Sequence, residues 1–171
     1  MKKKILTSKT FSVYTHTGFI DTKKVSRDIV ERRDVAAIIA IEKNNLILVK
    51  QNRFPLGTIF EIPSGSLDKK EKPIECAFRE LREETGYTAQ KMIPLLNWYP
   101  AIPFCNEIVH CFVAKGLKKV DEPRLDDDEF ISIEKMDLKK VVKMIMSGKI
   151  NNATTIISIL SFITKNKIQI S

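Results

Sequence analysis

Between Gly65 and Tyr87 the chain reads GSLDKKEKPIECAFRELREETGY, and three of its acids, Glu80, Glu83 and Glu84, are spaced for chemistry. In a helix, separations of three and four residues put all three carboxylates on one face. Like charges so placed destabilise a bare helix by roughly a few tenths of a kcal/mol per pair. They also raise one another's proton affinity. Arg79 alone does not balance them. A hard divalent cation does, and magnesium and manganese favour carboxylate oxygens. The plainer reading is a solvated amphipathic helix laced by Glu75–Arg79 and Arg79–Glu83 pairs.

The flanks predict the helix. Pro73 suits a first helical turn, where its missing N–H costs nothing. Ile74, Ala77, Phe78 and Leu81 recur at helical spacing and form an apolar stripe beside the acids. The helix can then pack on a sheet and present its carboxylates to solvent. Gly86 stops it, because glycine takes the left-handed conformation cheaply.

The whole stretch resembles the Nudix box, G-x5-E-x7-R-E-U-x-E-E-x-G-U, where U is bulky and apolar. Gly65, Glu71, Arg79, Glu80, Leu81, Glu83, Glu84 and Gly86 fall in register, and Tyr87 departs mildly at the last U. A match this long is far more specific than a lone glycine motif.

Other elements must hold this helix. Val35 to Ile41 is an apolar run rich in β-branched residues, suited to a buried strand. Asn44-Asn45 marks a turn, and Leu46 to Gln51 returns as a hairpin. Pro55-Leu56-Gly57 is a second turn, and Ile59 to Ile62 a short strand feeding the box. Residues 11–32 alternate weakly and contain Gly18, which predicts one or two short strands joined by a turn. Met92 to Tyr99 reads as a strand that Pro94 confines to an edge. Pro100 and Pro103 enforce a loop. Glu107 to Ala114 and Phe130 to Ile133 read as strands. Asp137 caps a helix to about Met146 that Gly148 ends, and Asn151 to Thr164 is a last helix. Periodicity thus predicts a mixed α/β layered fold. The resemblance implies more: a Nudix-type αβα sandwich, α+β in class, around a mixed β-sheet.

At 171 residues the chain fits one domain, and 43% hydrophobic with 29% charged residues is ordinary for a soluble protein. A net charge of +8 is spread over lysines at both ends, as a solubility feature. With 8% aromatic residues, the interleaved aromatics that nucleic-acid binding wants are scarce, and no nucleic-acid partner is expected. Cys76, Cys105 and Cys111 form no CxxC pair and read as reduced thiols in the cytosol. No apolar run has the length of a signal peptide or a membrane span. The expected location is cytoplasmic.

Nudix proteins typically hydrolyse a nucleoside diphosphate linked to another moiety, with Mg2+, or Mn2+ in its place, neutralising phosphate oxygens and acidifying a water. By resemblance Glu80 and Glu84 are the main metal ligands, and Glu83 is a further ligand or orients the water. The carbonyl of Ser64 joins the metal, Gly65 permits the turn before the helix, and Arg79 holds a glutamate in place. Glu71 is expected to be structural, meeting helix-terminal N–H groups.

Outside the box, three segments resemble ADP-ribose pyrophosphatases: Glu61-Ile62-Pro63-Ser64-Gly65, Val49-Lys50-Gln51-Asn52-Arg53 and Phe104-Cys105-Asn106-Glu107-Ile108-Val109-His110. They imply substrate contacts from Arg53 and, through a shorter match at Arg27-Asp28, from Arg27. The acidic run Leu125-Asp126-Asp127-Asp128-Glu129-Phe130 resembles the family's second acidic cluster, with Asp127 as base and Glu129 near a metal. His110 carries no assigned role. The loop Ala101-Ile102-Pro103-Phe104 departs from the family's S-P-G-F and bears on which substrate is taken. The expected function is hydrolysis of ADP-ribose or a related nucleotide sugar to AMP and, for ADP-ribose, ribose 5-phosphate. Rival readings are dinucleoside polyphosphates, nucleoside triphosphates or capped RNA as substrate, and a non-catalytic nucleotide sensor. The resemblance also implies a homodimer, to which the N-terminal strands within residues 1–34 contribute.

Overall fold

A computed structural model describes residues 1–124 and 131–170. The strands are β1 (Lys2–Thr7), β2 (Ser12–Ile20), β3 (Lys23–Glu31), β4 (Val35–Glu42), β5 (Asn45–Arg53) and β6 (Gly57–Glu61), then β7 (Ser64–Ser66), β8 (Tyr87–Thr88), β9 (Lys91–Trp98), β10 (Val109–Lys115), β11 (Lys118–Lys119) and β12 (Ile131–Asp137). The helices are α1 (Pro73–Thr85), α2 (Leu138–Met146) and α3 (Ala153–Lys165).

The main sheet runs β12-β5-β4-β10-β9, with β6 paired to β5 and β7 to β4. It is mixed, because β10 lies parallel to β4 while its other ladders are antiparallel. Strand alternation splits the core between its two faces. Ala37 and Ile39 of β4 and Leu46 and Leu48 of β5 pack with Val141, Ile145, Ile159 and Phe162 of α2 and α3. Ala36, Ile38 and Ile47 point the other way, onto Cys76, Ala77 and Leu81 of α1. Each fully buried Ile or Leu contributes about 1.5–3 kcal/mol. The result is the expected αβα sandwich around a mixed sheet.

Turn chemistry explains the registers. The β4–β5 hairpin turns at Lys43 and Asn44, both with positive φ (47° and 71°), one residue earlier than the expected Asn44-Asn45. Two such residues match the twist of the flanking strands. Pro94 lies on the edge strand β9 opposite Phe112, next to a register shift. There a missing N–H is tolerated. Asp137 caps α2 by accepting from the N–H groups of Lys139 and Lys140. Asn152 caps α3 by accepting from Thr155 N.

The N-terminal segment departs from expectation. Residues 12–31 form two nine-residue strands, and Gly18 sits mid-strand opposite Val25 rather than in a turn. Strand β1 joins them to make a separate antiparallel sheet, β1-β2-β3. Its only apolar residues, Ile5 and Leu6, are exposed, so periodicity gave no sign of it. This sheet meets the body through Val30, whose N–H donates to Phe104 O at 2.7 Å and whose carbonyl accepts from Asn106 N at 3.3 Å.

Candidate active site

The helix α1 is built as its flanks imply, and of the expected stripe Ala77 and Leu81 are buried with Phe78 packed against them. Pro73 occupies its first turn, and Lys72 N–H donates to the side chain of Glu75 at 3.1 Å. Gly86 closes it with φ of 70°, donating its N–H to Arg82 O. Ile74 is exposed, and the buried face is Cys76, Ala77, Leu81 and Thr85. The buried face extends beyond the expected stripe to Cys76, Glu84 and Thr85, because the helix packs on β4 and β7 with part of its acid-bearing flank turned inward. Glu84, expected in solvent, is 4% exposed.

Arg79 organises the acids. Its Nε and Nη2 donate to the two oxygens of Glu71, both at 2.9 Å, and its Nη1 donates to Glu80 at 2.7 Å and to Glu83 at 2.9 Å. Nη2 also reaches the Ser66 carbonyl at 3.2 Å. The expected Arg79–Glu83 pair is present, whereas Glu75 turns to Lys72. Glu71 therefore meets a guanidinium, and its backbone partner is Asp68 N at 2.8 Å, ahead of the helix, not a helix-terminal N–H. The Arg79 fork holds the Glu71 carboxyl down at about 2. The same bonds push the Arg79 guanidinium further up. Beneath them burial raises the Cys76 thiol to about 12, so it acts as core packing.

The turn before the helix is fitted to these acids. Ser64 N–H donates to Glu84 Oε2 at 2.9 Å. A Cβ on Gly65 would lie 2.0 Å from the Glu80 carboxyl group, so only glycine lets Glu80 lie there. Ser64, Gly65, Glu80, Glu83 and Glu84 line one cleft of about 710 Å³. Among the described residues no three acid, His or Cys side chains already converge at metal-binding distance. Glu80 and Glu83 are drawn to Arg79, and Glu84 to Ser64. The donor set is nonetheless all oxygen and lines an open cleft, which fits a hard divalent cation.

Arg53 reaches the same cleft from the end of β5. Its Nε and Nη2 both lie 3.0 Å from Glu61 Oε2. The other Glu61 oxygen accepts from Asn152 Nδ2 at 2.9 Å, tying Arg53 to the cap of α3. Arg27 is elsewhere: on β3 its guanidinium donates to the carbonyl of Ser26, and it does not line this chain's cleft. Asp127 and Glu129 lie outside the described residues. His110 pairs with Asp34 at 3.3 Å.

Sequence reasoning missed Arg32, Arg33, Glu107 and Arg124 as cleft residues. Arg32 Nη1 lies 3.1 Å from Glu107 Oε2, without the alignment of a hydrogen bond. Burial pushes the Glu107 carboxyl up, Arg32 pulls it down, and Asp34 adds a further upward push. Glu107 lies within the family-like segment Phe104 to His110, and Arg32-Arg33 is a local run of positive charge. Nothing local in the sequence marks Arg124.

Comparison with known proteins agrees with this geometry. The NUDIX domain family matches residues 30–155. The ADP-ribose pyrophosphatase of Bacillus subtilis (strain 168) is 37% identical over 172 aligned positions, covering 98% of this chain and 93% of its own. The methanol dehydrogenase activator of Bacillus methanolicus is 40% identical over 136 positions, 78% of this chain and 74% of its own. A GDP-mannose pyrophosphatase of Yersinia enterocolitica is 28% identical, covering 91% of this chain and 90% of its own. A solved structure of an ADP compounds hydrolase superposes with a TM-score of 0.84 over 98% of this chain and 92% of that one; at 19% identity it speaks for the fold alone. With the box complete from Gly65 to Gly86 and its arginine and glutamates gathered in one cleft, the chain belongs to the NUDIX family of hydrolases.

Proposed function

We propose that the protein is a magnesium-dependent hydrolase, with manganese able to substitute, that cleaves the diphosphate of ADP-ribose or a related nucleoside diphosphate sugar. ADP-ribose would give AMP and ribose 5-phosphate. The observation that carries this reading is the joining of three box glutamates and Arg53 in one cleft.

A divalent cation held there would neutralise phosphate oxygens and acidify a water. Glu80, Glu83, Glu84 and the Ser64 carbonyl are the groups to hold it. Arg79 limits the swing of Glu80 and Glu83, and Ser64 N–H orients Glu84, which keeps the donor set preorganised. Arg53, steadied by Glu61, binds substrate. By the family resemblance Asp127 or Glu129 would assist the water, with Glu83 as the alternative water-orienting group.

Arg27 joins this scheme only through a second copy. We place it in the nucleoside pocket of a homodimer partner, with the strands of residues 1–34 as the shared element of one domain spanning residues 1–171. The exposed Phe19 and Ile20 of the N-terminal sheet support an additional covering surface. The three free thiols support a cytoplasmic location, and among the described residues no helix is long and apolar enough to cross a membrane.

The loop Ala101-Ile102-Pro103 favours a second reading, in which a nucleotide sugar other than ADP-ribose is preferred. Product analysis decides between them. Purified protein with magnesium would be offered ADP-ribose, ADP-glucose, UDP-glucose, GDP-mannose, NADH, a diadenosine polyphosphate and capped RNA. Fastest AMP release from ADP-ribose supports the first reading. Clear activity elsewhere with little on ADP-ribose supports the second. Binding without turnover on any of them would leave a sensor.

A further inference from the structure

Five arginines line the cleft, and four of them already face a carboxylate: Arg79 meets Glu71 at 2.9 Å, Arg53 meets Glu61 at 3.0 Å, Arg32 meets Glu107 at 3.1 Å and Arg33 meets Asp68 at 3.1 Å. A guanidinium so paired has part of its charge and some of its five N–H donors already committed. Arg124 differs. Its nearest acid among the described residues is Asp121 Oδ1 at 3.9 Å, and Asp121 already holds Arg82 at 2.6 Å through its other oxygen. The Arg124 side chain is 73% exposed at the cleft mouth.

Its backbone, in contrast, is fixed to α1. Arg124 N–H donates to the carbonyl of Glu83 at 2.8 Å. Upstream, the N–H groups of Val120 and Asp121 both donate to Gly86 O, at 2.9 and 3.2 Å. This strap packs so closely that a Cβ on Gly86 would lie 2.0 Å from Asp121 O. The last glycine of the box therefore seats residues 120–124 as well as ending the helix. The strap brings beside the glutamates a cation whose nearest acid among the described residues already holds Arg82.

Resting on the reading of the cleft as a diphosphate site, we propose that Arg124 is a phosphate-binding residue of this protein. Its guanidinium donates paired N–H bonds to non-bridging oxygens of the substrate's diphosphate, a geometry that lysine cannot reproduce. Arg124 thus supplies positive charge at the exposed edge of the cleft, beside the box glutamates.

The test uses the full chain with magnesium, as wild type, Arg124→Ala and Arg124→Lys. Steady-state cleavage of ADP-ribose is read beside calorimetric binding of inorganic pyrophosphate and the melting temperature. The expected result for Arg124→Ala is a fall in kcat/KM of about 10- to 100-fold and pyrophosphate binding weakened about tenfold or more. Melting should be unchanged, because the Arg124 bond to α1 is made by backbone. Arg124→Lys should recover part of both losses. Cleavage and pyrophosphate binding within twofold of wild type in Arg124→Ala would overturn the proposal. If wild type leaves ADP-ribose intact, the substrate reading fails, and the pyrophosphate titration alone decides the role of Arg124. Loss of binding in Arg124→Ala then supports it. Retained binding, or no binding by wild type, overturns it.

Discussion

Glu84 Oε2 accepts a hydrogen bond from the backbone N–H of Ser64 at 2.9 Å, which fastens the last acid of the box helix to the turn that precedes Gly65. The turn and helix are thus one rigid unit, and the carboxylate inside it is buried. A buried carboxylate held by a backbone donor is preorganised for a cation.

The close approach of Gly65 and Glu80 predicts a loss of function with little loss of fold. A methyl at Gly65 would lie 2.0 Å from the Glu80 carboxyl group. Glu80 must swing away, and for the metal ligand proposed there a misplacement of about 1 Å costs on the order of 100-fold in rate. Gly65→Ala should therefore lower kcat by about two orders of magnitude. Its unfolding midpoint in urea should move little, because the displaced side chain lies at the cleft rather than in either hydrophobic core.

Glu71 predicts a pH dependence of stability. Its carboxyl sits at about 2 in the folded protein, against an ordinary 4.5, mainly through hydrogen bonds from Arg79. A lowered folded value means that the unfolded chain binds the proton more tightly. The stabilisation is therefore complete above about 4.5 and is lost as pH falls from there towards 2. Glu71→Gln lacks this titration. Denaturation curves should show wild type more stable than Glu71→Gln at pH ~6, with the gap narrowing at pH ~3. A gap independent of pH would contradict the assignment.

Gly86 is predicted to be sensitive on two counts. Its φ of 70° is strained for any residue with a Cβ, at roughly 1–2 kcal/mol, and that Cβ would meet Asp121 O. Gly86→Ala should lose about 2 kcal/mol or more, since the second cost adds to the first. Thermal melting measures the loss. Because the strap carries Arg124, pyrophosphate binding should weaken in the same variant.

The sequence was most legible where one physical rule dominated. Box spacing put Glu80, Glu83 and Glu84 on one helix face, and the β-branched run from Val35 to Ile41 suited a buried strand. Resemblance added Arg53, which the structure brings into the same cleft. Legibility ended where position depends on distant chain. The Arg79–Glu71 fork joins residues eight apart across a turn, so helical spacing offered Glu75 in its place. Strand β1 was hidden because Lys2, Lys3 and Lys4 show no alternation, and its pairing to β2 supplies the order. Arg124 immediately precedes the acidic run of Leu125 to Phe130, and its place in the cleft depends on the Gly86 cap, which no local pattern announces.

The most direct measurement is magnesium-dependent release of AMP from ADP-ribose by wild type and by Glu84→Gln, with melting curves for both. Glutamine keeps an oxygen to accept the Ser64 N–H, so the fold should survive within about 1 kcal/mol. It lacks the charge that a hard cation needs. The predicted result is rapid AMP release by wild type and none above background from a folded Glu84→Gln. Full activity in Glu84→Gln would contradict the metal-site assignment on which the rest depends.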